Sequence, residues 1–232
     1  MTVAGDGCVF VLVHSLLLGP LSWAPVAHRL APRAVVPSLV DVGDAGPPFW
    51  RSVAETVRDA VDELPVDRPV VIVAHSNAGL FVPVIVEACP RRVAGCLFVD
   101  AALPSPSGST PTASPERLAF LRSMAVDGWL PRWTDWWGDS EVASLFPDEP
   151  TRRAVSAEQP RLPLTYYEAA VPTPAGWDDR PCGYLQFSPA YADKASEAER
   201  RGWAVDHVPG QHLHQLVDPE TVTGRIVALT GR

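Results

Sequence analysis

Residues 70–79 read Val-Val-Ile-Val-Ala-His-Ser-Asn-Ala-Gly, and the hydrophobic period changes part-way through them. Val70 to Val73 are β-branched without polar alternation, the pattern of a strand buried on both faces. After Ser76 the apolar residues Leu80, Phe81, Val84 and Ile85 recur at helical spacing, so a helix is expected from about Asn77. Ser76 therefore sits on a tight strand-to-helix turn. Only small residues, Ala74 and Ala78, stand two places before and after it, where neighbouring backbones must come close. Such a turn pushes the hydroxyl out over the strand end, with φ above zero. The first N–H groups of the helix and the positive end of its dipole point to the same place. The alternative for Ser76 alone is a hydroxyl that caps an ordinary turn.

The rest of the chain repeats the strand-then-helix order. Cys8–Val13, Val35–Val40, residues 94–99, Gly183–Phe187 and Trp203–Val208 read as further strands. Helices are expected from a cap at Ser22 to about Leu30, over Phe49–Leu64 with Val53, Val57, Ala60, Val61 and Leu64 on one face, and over Ala190–Arg201. A last helix should start at Pro219 with Asp218 as its cap. This alternation predicts an α/β chain with a doubly wound, mostly parallel sheet of about six strands, Val70–Val73 near its middle.

Residues 104–181 interrupt the order. Pro104 to Pro115 has the composition of a flexible loop, and a helix follows from about Glu116. Five of the eight tryptophans fall in this segment. The expected division is a core of residues 1–103 and 182–232 with 104–181 inserted. Trp133, Trp136 and Trp137 are candidates to line an apolar pocket above Ser76, the alternative being that they pack the insertion onto the core.

Ala74-His75-Ser76-Asn77-Ala78-Gly79 resembles the nucleophile elbow G-x-S-x-G of the α/β-hydrolase fold superfamily, with alanines in place of both glycines. After the first strand, His14, Gly19-Pro20 and Ser22-Trp23 resemble the oxyanion loop of plant-type methyl esterases and hydroxynitrile lyases, with Ser15 where glycine is usual. The resemblance implies a catalytic Ser76 and an oxyanion hole made by the backbone N–H groups of Leu16 and Asn77. It makes His14 structural, and it makes the insertion at 104–181 a helical lid. Gly210-Gln211-His212-Leu213 resembles the segment holding the catalytic base, which implies His212, with His214 as runner-up. The acid departs from the pattern. Tyr191 stands about where the family usually has Asp, and Asp193 comes two residues late. Asp100, ending the strand after the Ser76 strand, is the preferred acid; Asp193 or no acid at all are the alternatives.

The leading expectation is a serine hydrolase acting on a small or mid-sized ester or thioester with an apolar group, through Ser76, His212 and Asp100. Lyase or isomerase chemistry without an acyl-enzyme is the alternative, as is a member that binds a small molecule without turnover. A net charge of −8 argues against nucleic acid and anionic membrane surfaces as partners. The first residues lack a basic signal-peptide start, and no stretch has the length of a membrane span. Four cysteines without C-x-x-C spacing fit free thiols in the cytoplasm. No cofactor is implied. His212 and His214 lack an accompanying Asp, Glu or Cys cluster, so no metal site is expected. Arg132, Arg152, Arg153 and Arg161 in the insertion are cations that could meet a substrate carboxylate.

Overall fold

Eight strands are formed in the computed structural model, which describes residues 7–64 and 68–231. The chain start, residues 1–6, on which the signal-peptide reading rests, lies outside the described residues. The strands are β1 (Val9–Val13), β2 (Ala34–Val35), β3 (Val70–His75), β4 (Val93–Val99), β5 (Gly108–Pro111), β6 (Ala170–Thr173), β7 (Cys182–Gln186) and β8 (Ala204–His207). Six of them make one sheet in the order β2-β1-β3-β4-β7-β8, every neighbouring pair parallel. The strand that ends before Ser76 is third from one edge. The fold class expected from the sequence is the one observed.

Helices α1 (Ala24–Leu30), α2 (Phe49–Asp62) and α3 (Val82–Ala88) connect the first strands, and α4 (Pro115–Met124), α5 (Asp139–Ala143), α6 (Glu149–Glu158) and α7 (Leu164–Tyr167) lie in the inserted segment. The chain closes with α8 (Ala192–Arg200), α9 (His214–Val217) and α10 (Pro219–Thr230). Strand residues of alternate parity feed two cores. Val9, Val11, Val13, Ile72 and Phe98 pack with α2, α3 and α8, while Phe10, Leu12, Val71, Val73 and Leu97 pack with α1 and α10. Val70 to Val73 have no exposed surface at all. Each such side chain contributes about 1.5–3 kcal/mol relative to exposure, which is why the run carries no polar alternation.

The register sets the site. His75 pairs with Val99, and Val99 with Leu185. Ser76 and Asp100 therefore leave the sheet at one level, on adjacent strands, at the carboxyl edge where open α/β sheets place their ligands.

Four local expectations are corrected. The second strand stops at Val35 instead of Val40: Pro37 has no N–H to give a ladder, and the Leu39 N–H goes to His14 Nε2 at 3.0 Å. The α-helix after Ser76 starts only at Val82; residues Ser76–Phe81 form a 3-10 helix, and Pro83 follows in the first α-turn. Ser22 does not cap α1 by accepting an N–H, since its hydroxyl donates to the Gly19 carbonyl at 2.7 Å and closes a short 3-10 turn. Finally, the stretch expected as a flexible loop contains β5, which pairs antiparallel with β6. Asp218 does cap α10, accepting from the Thr221 N–H at 3.0 Å. Among the described residues no helix is long and apolar enough to cross a membrane.

Candidate active site

Ser76 has φ 60°, the positive value expected of a strained strand-to-helix turn. The turn is tied to the loop after β4 by the Ala102 N–H, which donates to the Ser76 carbonyl at 3.0 Å. A Cβ on Gly79 would lie 2.1 Å from the Ala102 carbonyl oxygen. The close backbone approach thus falls on the glycine three places after the serine, and the flanking alanines are tolerated.

His212, in the loop between β8 and α9, lies with Nε2 2.9 Å from Ser76 Oγ and Nδ1 2.7 Å from Asp100 Oδ2. Three side chains from three separate segments are thereby in one hydrogen-bonded line. The His212 ring is bracketed by its neighbours. His75 packs at 4.6 Å between centroids, and Tyr191 stacks at 5.0 Å with planes 3° apart. His75 Nε2–H also donates to the His212 carbonyl at 2.9 Å, which fixes the loop. Burial pushes His75 down to about 3, with the charge of His212 acting in the same direction, so it is a neutral donor.

Asp100 is fully buried and has φ 43°. Its Oδ1 accepts from the N–H groups of Phe187 and Ser188 at 2.9 and 3.0 Å, and its Oδ2 also accepts from the Ser188 hydroxyl at 2.7 Å. Burial acts to raise this carboxyl, but the hydrogen bonds and charge of His212 and the two backbone N–H groups outweigh it. The net direction is below the ordinary carboxylate value. Asp193 is exposed on α8. His214 packs edge-on against Phe187, and the histidine hydrogen-bonded to Ser76 Oγ is His212.

The side of the site where an oxyanion hole is expected is partly filled from within. The Leu16 N–H donates to Asn77 Oδ1 at 3.1 Å, and Asn77 Nδ2 donates to the Tyr166 hydroxyl at 3.2 Å. Asn77 Oδ1 thereby occupies one of the two N–H groups expected to form an oxyanion hole. The Asn77 N–H itself belongs to the first helical turn, whose donors have no carbonyl four residues back. His14 holds this loop: its Nδ1–H donates to the Ser15 carbonyl at 2.7 Å while Nε2 takes the Leu39 N–H. Burial lowers it to about 4.

A cavity of about 440 Å³ opens in front of Ser76, Asn77 and His212. Trp133 and Trp137 line it from the inserted segment, as do Thr112, Arg117 and Tyr167, while Leu17, Ala190 and Tyr191 line it from the body. Trp136, expected among the lining residues, is instead 8% exposed and packed in the core, its indole N–H donating to the Pro131 carbonyl at 2.9 Å. None of Arg132, Arg152, Arg153 and Arg161 lines this cavity; the lining cation is Arg117. Tyr191 is legible in the sequence only as the occupant of the usual acid position. Burial pushes its phenol up to about 12, with Ser76 acting in the opposite direction. Among the described residues no group of His, Cys, Asp or Glu could hold a metal ion.

A family model described as the alpha/beta hydrolase family matches residues 10–225. Methylesterase 2 of Arabidopsis thaliana is 28% identical over 147 residues, which cover 59% of this chain and 55% of that protein. The chain thus spans about half the length of this curated relative. Among solved structures, that of polyneuridine aldehyde esterase superposes with TM-score 0.69 at 16% identity, covering 97% of this chain and 100% of the other. A variant of tomato Methylketone Synthase I complexed with beta-ketoheptanoate superposes with TM-score 0.73 at 13% identity, covering 98% of each chain.

Proposed function

The chain belongs to the α/β-hydrolase family, and from that premise we propose that it is a serine esterase. Ser76 Oγ attacks the ester carbonyl carbon as His212 Nε2 takes its proton. Asp100 holds the proton on His212 Nδ1 and stabilises the imidazolium. The tetrahedral oxyanion is held by the Asn77 and Leu16 N–H groups, and for that Asn77 Oδ1 has to leave Leu16. As the C–O bond breaks, His212 returns the proton to the leaving alcohol. Water then attacks the acyl-Ser76 carbonyl, again giving its proton to His212, and the acid departs with Ser76 restored.

The observation that supports this reading most is the unbroken line from Ser76 Oγ through His212 to Asp100, at 2.9 and 2.7 Å. It ends on a cavity of small-molecule size with tryptophans on one side. Residues 104–181 act as a lid over it. The substrate class is a small ester with an apolar part, and methyl esters are the first to try, by analogy with the methylesterase relative. The free thiols at Cys8, Cys89, Cys96 and Cys182 favour a reducing, cytoplasmic setting. One observation favours a second reading, a lyase without an acyl-enzyme: the Leu16 N–H is already occupied by Asn77.

Incubation with a panel of methyl and p-nitrophenyl esters of small acids separates the two. The esterase reading expects release of the free acid, with a burst on activated esters, and none from Ser76→Ala. Absence of acid release from every ester overturns it.

A further inference from the structure

The same cavity is lined by a cation with no ion-pair partner and a tyrosine whose hydroxyl has no hydrogen-bond partner, both packed against the Trp136 ring. Arg117, in the first turn of α4, lines the cavity, and among the described residues no carboxylate pairs with it. The acid nearest this helix in an ion pair, Glu168, goes to Arg122 at 2.8 Å. The guanidinium is instead held among rings, 5.3 Å from the centroid of Trp136, 5.4 Å from Phe120 and 6.0 Å from Trp137. Such a bracket fixes the direction of the planar fork without neutralising it. Tyr167, on the same wall, is 6% exposed, and its buried hydroxyl has no hydrogen-bond partner. An orphaned buried hydroxyl costs about 1–3 kcal/mol, so its retention beside an unpaired cation points to an absent acceptor.

From this pair we infer that the substrate carries a free carboxylate remote from its ester, one oxygen taken by Arg117 and the other by the Tyr167 hydroxyl. The inference rests on the esterase reading for the ester end and on the Arg117–Tyr167 pair for the acid end. Burial raises the Tyr167 phenol, with the Arg117 charge acting in the opposite direction, so it stays protonated and has an O–H to donate to an acceptor. The residues that line this space include no carboxylate. Asp100 is buried behind His212 with its oxygens engaged. The cavity lining therefore carries a cation and no opposing acid. One guanidinium and one hydroxyl match a monoanion with two oxygens; a phosphate dianion would need more cations in a chain of net charge −8.

The reaction on such a half-ester is ordinary hydrolysis. The acyl C–O bond is broken, water supplies OH to the acyl carbon and H to the alcohol, and the product is a dicarboxylate or a hydroxy acid.

The test is calorimetric binding of monomethyl adipate and dimethyl adipate to the Ser76→Ala protein, with turnover of both esters measured on the unsubstituted protein. The half-ester is expected to bind about tenfold tighter or more than the diester. Arg117→Met should collapse that ratio towards one, and the isosteric Tyr167→Phe should reduce it severalfold while the thermal midpoint shows the fold intact. Equal binding, tighter binding of the diester, or no binding of either overturns the inference. Turnover of the diester without discrimination overturns it while leaving the esterase reading in place. Tight half-ester binding with no turnover of either ester keeps the carboxylate site and removes the esterase.

Discussion

Asp100 Oδ2 lies 2.7 Å from His212 Nδ1, and the same carboxylate takes three more hydrogen bonds from Phe187 and Ser188. A carboxylate so held keeps one imidazole tautomer. In Asp100→Asn an amide N–H faces Nδ1, the ring proton moves to Nε2, and the nitrogen facing Ser76 can no longer accept. Asn also tolerates the positive φ at this position. Turnover should fall by about 10²–10⁴, by the tautomer effect known for serine proteases. Asp193→Asn should leave turnover unchanged, because Asp193 is exposed on α8. Steady-state kinetics on one activated ester compares the two; full activity in Asp100→Asn would mean a Ser–His pair is enough.

Asn77 should behave as an internal competitor for the oxyanion position. Removing its side chain in Asn77→Ala frees the Leu16 N–H, so KM should fall or kcat rise severalfold, the size of one hydrogen bond of about 1 kcal/mol. The same change strands the Tyr166 hydroxyl, and the protein should lose about 1–2 kcal/mol of stability. Asn77→Asp keeps the Leu16 contact but sets a negative charge against the developing oxyanion, and should cost about 10² in turnover or more. Kinetics and urea melts of the two variants check the opposite signs.

Much of this site is legible in the amino-acid sequence alone. The strand-to-helix switch at Ser76 is a local pattern read from hydrophobic period and turn chemistry, whereas the terminal-loop histidine and the strand-end Asp100 take their meaning from the resemblance to the α/β-hydrolase fold. Arg117, Tyr167 and the Asn77 side chain are not legible there. Nothing in the period of α4 distinguishes Arg117 from the other arginines of the insertion; only three-dimensional packing shows which cation lacks a partner. Trp136 fails for the same reason, since two neighbouring tryptophans at the end of a 3-10 turn point in different directions. β2 is cut short both by Pro37, which the sequence shows, and by a hydrogen bond from Leu39 to His14, a long-range competitor that no window of local sequence reports.

Gly79 should not tolerate a methyl group. Its Cβ would meet the Ala102 carbonyl oxygen, a backbone atom of a loop pinned to Ser76. Gly79→Ala should cost about 3 kcal/mol or more, read as a shift in the urea midpoint. An unchanged midpoint would contradict the close approach. Ala78→Gly, one place earlier, should cost little, as the standard family motif has glycine there.

Stability should fall as the pH drops below neutrality. His14 and His75 are lowered by burial from 6.5 to about 4 and about 3. Below pH 6.5 the unfolded chain binds protons at these residues that the folded chain does not. Each histidine therefore removes about 1.4 kcal/mol per pH unit, until the pH reaches its folded value. Asp100 adds to this only at lower pH: its folded value is depressed, so its contribution is present above the ordinary carboxylate value and is lost as pH falls through the folded one. Urea melts between pH 7.5 and 4.5 should show a steady decline; a flat profile would mean that these histidines are protonated in the fold.

Activation of Ser76 as a nucleophile by His212 is tested most directly by intact mass after a fluorophosphonate probe. One adduct per chain is predicted, mapping to Ser76 and absent from Ser76→Ala, with labelling slowed in His212→Ala. Equal labelling of Ser76→Ala, or ester turnover by a protein that takes up no probe, would contradict it.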